Sequence, residues 1–160
     1  MTLIAQTIHQ NVPCLIGDIL FTSEVDYSDI HIPTSLGNVQ PFINTLTAKP
    51  VEYWQKLYIL KDNLCVSVAG NFSEIREFIK EMRIQCSYYD KITPENLSSM
   101  LNNYNKTNLS ESALLVTLVV DGDNSQSFYT LNLQFPEGEI VWKKSSSDIF
   151  EEIISCGTGA

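Results

Sequence analysis

The sequence predicts a layered α+β fold, and the order of its elements leads to that prediction. Segments with strand patterns come first, two amphipathic helix patterns follow, and further strand patterns come after the helices. Strands and helices segregated in this way favour layers of sheet and helix over a parallel sheet wound on both faces. No repeat or domain linker interrupts the 160 residues, so a single domain over 1–160 is predicted.

Composition and charge exclude several functional classes. The chain carries 10 Lys and Arg residues against 19 Asp and Glu residues, a formal net charge of −9. Nucleic acids and anionic membranes both need a positive protein face, so neither is expected as the main partner. With 44% hydrophobic and 18% charged residues, the chain can build a core and is not expected to be disordered. It contains no run of about 18 apolar residues, so no membrane span is predicted.

The N-terminal residues and the cysteines both favour a cytoplasmic location. Residues 1–20 hold no Lys or Arg for a basic secretion leader, and polar residues break their apolar run. The cysteines are scattered and include no CxxC pair, so free thiols are the simplest interpretation. Neither a metal nor another cofactor is predicted. The cysteines are Cys14, Cys65, Cys86 and Cys156.

Several segments predict strands, because in each of them apolar residues alternate with polar ones or form a short apolar run. Turn-forming residues separate the first two segments and the next two, which predicts two hairpins. The run at 64–69 is nearly continuously apolar, which is typical of a strand buried on both faces. The predicted strands are residues 2–9, 12–21, 54–60, 64–69, 113–120, 126–135, 139–143 and 149–156.

The segment between the two hairpins differs from the rest of the chain. Residues 23–51 contain Pro33, Pro41 and Pro50 together with many Ser, Thr, Asn and Asp residues, and no period holds for long. A loop of this length is unusual inside a compact domain and is often functional. We interpret it as an irregular surface insertion, with a lid over a site as the alternative.

Two helices are predicted from their starts and their apolar stripes. Asn71 can cap the first helix, with Glu74 three residues later, and Thr93 can cap the second, with Pro94 in its first turn. Apolar residues then recur at helical spacing, so each helix can lay one face on the strands. The stripes are Phe72, Ile75, Phe78, Ile79 and Met82 in the first helix and Leu97, Met100, Leu101 and Tyr104 in the second.

Four short motifs follow one another in a fixed order. Thr2 begins the first predicted strand, and Gly17-Asp18 comes later in the same hairpin. Lys56 precedes Val68-Ala69-Gly70, which leads directly into the first predicted helix, and Ser155-Cys156-Gly157-Thr158-Gly159 lies near the end. In order and spacing this set resembles the N-terminal-nucleophile hydrolases, specifically proteasome β-subunits and the HslUV-type bacterial peptidase.

The resemblance implies a fold more specific than a layered α+β domain. It implies an αββα sandwich, in which two sheets face each other and helices cover both outer faces. The family continues beyond the point that matches Ala160, with further helices and strands and with an Asp and a Ser that support the nucleophile. The sequence supplies only one helical layer. The domain is therefore expected to be incomplete at its C-terminus, or a partner is expected to cover the sheet face that lacks helices.

The resemblance also implies a threonine-type peptidase or amidase. Thr2 would be the nucleophile and its own α-amine the base, provided that Met1 is removed. Lys56 would favour the neutral amine by like-charge repulsion, and Asp18 would hold Lys56 in position. A backbone N–H near Gly70 would receive the oxyanion at the start of the first helix.

The expected substrate and partners follow from the same resemblance. A peptide or protein substrate would pair in extended form with Thr22 and Gly70, as an added strand. Val68 and Phe72 would border an apolar pocket for the residue before the scissile bond. The expected partners are further copies of the chain, in a homo-oligomer, or other proteasome-like subunits.

Two other interpretations stay open. If Met1 is retained, Thr2 has an amide nitrogen and no base, and the chain would be a catalytically silent structural subunit of the same fold. The chain could also be an acidic α+β interaction domain unrelated to the proteasome. That last interpretation predicts a structure without a two-sheet core, or with Thr2 far from Asp18 and Lys56.

Overall fold

The structure, a computed structural model, combines antiparallel strands with helices. It describes residues 3–9, 12–18, 20–23, 49–104, 109, 112–122, 125–145 and 154–156. The elements, in chain order, are β1 (Ile4–His9), β2 (Val12–Gly17), β3 (Leu20–Ser23), β4 (Lys49–Tyr53), β5 (Leu57–Lys61), β6 (Leu64–Ala69), α1 (Phe72–Ser87), α2 (Pro94–Asn103), β7 (Ala113–Asp121), β8 (Gln126–Gln134), β9 (Trp142–Ser145) and β10 (Ile154–Cys156).

The strands form a large sheet, a smaller sheet and a two-stranded ribbon. The large sheet has five strands in the order β5-β6-β7-β8-β9, all antiparallel. The smaller sheet has the order β10-β1-β2, and the ribbon pairs β3 with β4. In the smaller sheet Ile4 lies opposite Cys156, so a strand from the end of the chain pairs with one from its beginning.

The five-stranded sheet is covered on both faces. Val116 and Leu118 of β7 pack in one cluster with buried residues of α1 and α2. Leu115, which directly precedes Val116 in the same strand, is also fully buried but packs with Ile4 of β1 and with Ala69 of β6. Successive side chains of a strand point to opposite faces, so helices cover one face and the smaller sheet covers the other. The predicted α+β class is therefore confirmed.

Both helices begin where the sequence predicts. The Asn71 side chain accepts a hydrogen bond from the backbone N–H of Ser73 at 3.0 Å, and Thr93 Oγ1 accepts one from Asn96 at 3.3 Å. Caps of this kind each stabilise a protein by about 1 kcal/mol. The predicted apolar stripes are buried, apart from the partly exposed Phe72. No helix within the described ranges has the length and apolarity to cross a bilayer.

The predicted hairpin partner at 12–21 is instead two strands in different groups. β2 pairs with β1, whereas β3 pairs with β4. The chain leaves the smaller sheet at Asp18, whose backbone N–H bonds to the carbonyl of Leu3 at 3.0 Å. The prediction missed this break because apolar residues resume directly after Asp18.

The predicted irregular insertion at 23–51 has strand at both of its ends. Ser23 ends β3 and lies opposite Lys49, the first residue of β4. Pro50 is accommodated opposite Thr22 beside a register shift in the ribbon, as expected for a proline at an irregular strand position. Residues 24–48 of the predicted insertion lie outside the described residues.

Other strand bounds shift by a few residues. The predicted strand at 54–60 is β5, which begins at Leu57, and the predicted strand at 139–143 is β9, which begins at Trp142. The strand predicted at 149–156 is described only as β10. For β5 and β9, hydrogen bonding to a neighbouring strand, rather than the apolar pattern, sets where the strand begins.

The packing of α2 yields a stability prediction. Leu101 is fully buried in the cluster between the helices and the large sheet. We expect Leu101→Ala to lower the free energy of unfolding by about 2–5 kcal/mol, because the cavity does not collapse completely. Urea unfolding measures the change. Asn102→Ala, at the exposed neighbouring position, should change it by less than about 0.5 kcal/mol. Equal losses in both variants would contradict this packing.

Candidate active site

A buried lysine and an aspartate meet where β2 ends. Lys56 Nζ forms an ion pair and hydrogen bond with Asp18 Oδ1, and the two side chains are 6% and 29% exposed. Lysine is rarely buried unless its charge is paired. The Asp18 carboxylate provides the opposite charge that offsets the burial of the Lys56 ammonium. The contact joins residues that lie 38 positions apart, both of which the sequence motifs single out.

The second oxygen of the same carboxylate holds the start of β1. Asp18 Oδ2 accepts a hydrogen bond from the backbone N–H of Leu3. The backbone N–H of Asp18 in turn donates to the carbonyl of Leu3 at 3.0 Å. Asp18 therefore ties Leu3 to Lys56 through one side chain. Thr2, the neighbour of Leu3 along the chain, lies outside the described residues.

Lys56 is also anchored through its backbone. The N–H of Val68 in β6 donates to the carbonyl of Lys56 at 3.0 Å, which fixes the entry to β5 against the adjacent strand. Gly17 packs beside the lysine, since a Cβ built on Gly17 would lie 3.5 Å from Lys56 Cβ, an ordinary contact distance. The ammonium thus projects from a segment that β2 and β6 both hold.

Gly70 links the end of β6 to the start of α1. Its φ of +140° is a conformation that residues with side chains rarely adopt. A Cβ at this position would lie 2.7 Å from Ser112 Cβ and 2.8 Å from Ser112 Cα, closer than real contacts allow. Only glycine fits here. The N-cap Asn71 follows, so Gly70 lies beside the positive end of the α1 dipole.

The residues predicted to contact substrate lie in three different settings. Val68 is 3% exposed in the core between the helices and the large sheet. The ring of Phe72 lies edge-on to Trp54, with centroids 4.1 Å apart. Thr22 belongs to β3, opposite Pro50 in the ribbon, and its side chain lies outside the described residues. A role for these residues in a substrate pocket stays a prediction.

Sequence reasoning missed Ser112 and Leu3. Ser112 is 4% exposed and packs directly against Gly70, and Leu3 carries the backbone N–H that Asp18 binds. Neither residue type signals such a role. The pairing of Ala69 with Ala113 is what brings Ser112 beside Gly70. That pairing is a matter of strand register, which the local pattern does not contain.

Two other possible sources of chemistry, a cysteine nucleophile and a bound metal ion, have little support in the described part of the chain. Burial raises the pKa of the Cys65 and Cys86 thiols, which lowers their thiolate fraction at neutral pH and makes them weak nucleophiles. Both are free cysteines, as is the exposed Cys14. Among the described residues, no three His, Cys, Asp or Glu side chains come together in a group that could hold a metal ion.

Comparison with known proteins identifies the fold at a coarse level. No protein-family model matches the sequence, and no curated protein matches it either. Among solved structures, the chain is similar to the crystal structure of eukaryotic HslV from Trypanosoma brucei, with a TM-score of 0.54 and 14% sequence identity. The match covers 99% of this chain and 72% of that one. The fold is therefore proteasome-like in outline, and the αββα sandwich stays a prediction.

Proposed function

We propose that this chain is a proteasome-like threonine peptidase or amidase, which hydrolyses peptide bonds through Thr2 once Met1 is removed. The observation that carries the proposal is the Asp18 carboxylate, which binds both the ammonium of Lys56 and the backbone N–H of Leu3. Leu3 directly follows Thr2, so the residue that Asp18 binds through its backbone is joined to Thr2 by one peptide bond. The proteasome-like outline of the fold supports the same function.

The proposed nucleophile needs a base, because a hydroxyl is a weak nucleophile at neutral pH. An N-terminal threonine can use its own α-amine. A neighbouring cation favours the neutral form of that amine by like-charge repulsion. Lys56 is suited to this role because it is buried, so its charge is screened less by water and salt than that of a surface lysine.

The proposed reaction proceeds through an acyl-enzyme. The Thr2 hydroxyl oxygen bonds to the carbonyl carbon of the substrate, and its proton passes to the α-amine. The carbonyl oxygen becomes an oxyanion, for which a backbone N–H at Gly70 is the proposed donor. The amine then protonates the leaving nitrogen as the peptide bond breaks, and water hydrolyses the ester in the reverse sequence of proton transfers.

The proposed substrate is an extended peptide segment with an apolar residue before the scissile bond. Thr22 and Gly70 are the proposed backbone partners, and Val68 and Phe72 the proposed border of the pocket. Assembly with further copies or with other proteasome-like subunits belongs to the same proposal. Val12 and Ile16 of β2 are 52% and 55% exposed, and apolar surface of this kind favours such contacts.

The test compares two forms of the protein that differ only in Met1. A cleavable N-terminal fusion that leaves Thr2 as the first residue gives one form, and intact mass verifies both. We expect only the Thr2-first form to hydrolyse a fluorogenic peptide with an apolar residue before the scissile bond. Equal turnover in both forms would contradict the proposed base. A folded, assembled and inactive Thr2-first form would instead select the catalytically silent structural subunit.

A further inference from the structure

Three residues form a row just beyond one end of the large sheet. The last pair between β6 and β7 is Ala69 with Ala113, and Ala113 in turn pairs with Gln134 of β8. The next residue outward on each strand is Gly70, Ser112 and Phe135 respectively. Phe135 donates its backbone N–H to the carbonyl of Ser112 at 2.7 Å, so the row continues the sheet by one step.

Ser112 forms a wall against Gly70. A Cβ on Gly70 would meet the Oγ of Ser112 first and would lie 2.7 Å from its Cβ and 2.8 Å from its Cα, closer than real contacts allow. Ser112 is 4% exposed, so it has little room to move away. The backbone of Gly70 is therefore confined on the side that faces Ser112.

The wall itself is supported from behind by the core. Phe135 is 7% exposed, and its ring packs on Phe78 of α1 with centroids 6.0 Å apart. Phe78 in turn contacts Tyr104, at the end of α2, at 5.0 Å. Packed interiors resist displacement, so Phe135, whose backbone N–H bonds to Ser112, is held in place by this aromatic cluster.

We propose that Ser112 is a positioning residue, which fixes the backbone N–H at Gly70 in the orientation that receives the oxyanion. The inference rests on the proposed function, since it assigns a support to the donor in that reaction. Gly70 has no side chain of its own to restrict it, and glycine is the most flexible residue. Close packing of Ser112 restricts the backbone of Gly70 although Ser112 itself does not bind the substrate.

The proposal predicts an effect on turnover rather than on substrate binding. The oxyanion exists in the transition state and not in the bound substrate, so a misdirected donor lowers kcat and leaves KM nearly unchanged. Displacement of a catalytic group by about 1 Å can cost about 100-fold in rate. Removal of the Ser112 side chain is therefore expected to lower kcat by about 10- to 100-fold.

The test uses Thr2-first protein with variants that change the wall in steps. Ser112→Gly removes the side chain and is expected to show the full loss of kcat at unchanged KM. Ser112→Ala keeps Cβ and is expected to stay within about threefold of the original kcat. Ser98→Ala, in α2, removes a partly buried hydroxyl that bonds to the Trp142 indole N–H, and serves as the matched control.

Titration of the nucleophile with a peptide electrophile normalises each rate to the number of active sites. A purely structural role would lower the titrated fraction and leave kcat per site unchanged, which would overturn the proposal. An equal fall of kcat in Ser112→Gly and Ser98→Ala would also overturn it. If Ser112→Gly does not fold, Ser112→Thr adds a methyl group to the same buried side chain and should displace it, so a loss of kcat is again expected.

The amide resonance of Gly70 separates this inference from the proposed function. Ser112→Gly should shift that resonance and speed its hydrogen exchange, whereas Ser98→Ala should do neither. An unchanged Gly70 amide overturns the positioning role even if the protein is an active peptidase. If the original Thr2-first protein has no turnover while the amide responds, the proposed function fails and the contact between Ser112 and Gly70 stands.

Discussion

Thr2→Ala is expected to abolish peptide hydrolysis by the Thr2-first protein. Alanine keeps the α-amine that serves as the base but lacks the hydroxyl oxygen that forms the acyl-enzyme. Loss of the nucleophile in an acyl-transfer enzyme lowers kcat by about 10⁴- to 10⁶-fold, which brings turnover below detection for a peptidase of ordinary rate. Release of a fluorescent leaving group, measured at equal concentrations of folded protein, gives the comparison.

Thr2→Ser is the matched control for that experiment. Serine retains both the hydroxyl and the amine, so measurable turnover is expected, together with covalent labelling by a peptide electrophile. Thermal unfolding of all three forms verifies that the fold is unchanged. Residual hydrolysis by Thr2→Ala at the level of the original protein would exclude Thr2 as the nucleophile.

Lys56→Met is expected to lower kcat by about 100-fold or more. Methionine preserves most of the apolar volume of the lysine but removes the positive charge that pairs with Asp18 Oδ1. The cation that favours the neutral amine is then absent, and general-base assistance is worth about 10²- to 10⁴-fold. The measurement is kcat for the same peptide, normalised by titration of the nucleophile.

The pH profile of Lys56→Met separates a catalytic effect from a loss of folding. A neighbouring positive charge lowers the pKa of an amine, so its removal raises that pKa towards the ordinary value of about 7.7–8.0. The base acts in its neutral form, and the acidic limb of the activity profile should therefore move to higher pH. An acidic limb at the original pH would show that Lys56 does not act on the amine.

Lys80→Met provides the control for the loss of a lysine. Lys80 forms an ion pair with Glu77 on the outer face of α1, where both side chains are more than half exposed. Exposed pairs of this kind contribute about 0–1 kcal/mol to stability, so neither the rate nor the pH profile should change. A similar loss of kcat in Lys80→Met and Lys56→Met would point to a general effect of charge.

The sequence alone determined the elements whose signals are local. The starts of α1 and α2 follow from Asn71 and Thr93, because a cap acts within one turn of the helix that it begins. The burial of β6 on both faces follows from its continuous apolar run. The α+β class follows from the order of such elements. The candidate residues Asp18 and Lys56 came from a resemblance in motif spacing rather than from any local physical signal.

The tertiary structure decided which of these residues meet. Strand partners and register decide three such features. These are the placement of β2 and β3 in different sheets, the pairing of Lys49 with Ser23, and the contact of Ser112 with Gly70. An alternating pattern tells which face of a strand is buried, but it names neither the partner strand nor the alignment between them. Contacts such as that between Lys56 and Asp18 therefore appear only once the sheets are assembled, because the packing of distant strands brings the two side chains together.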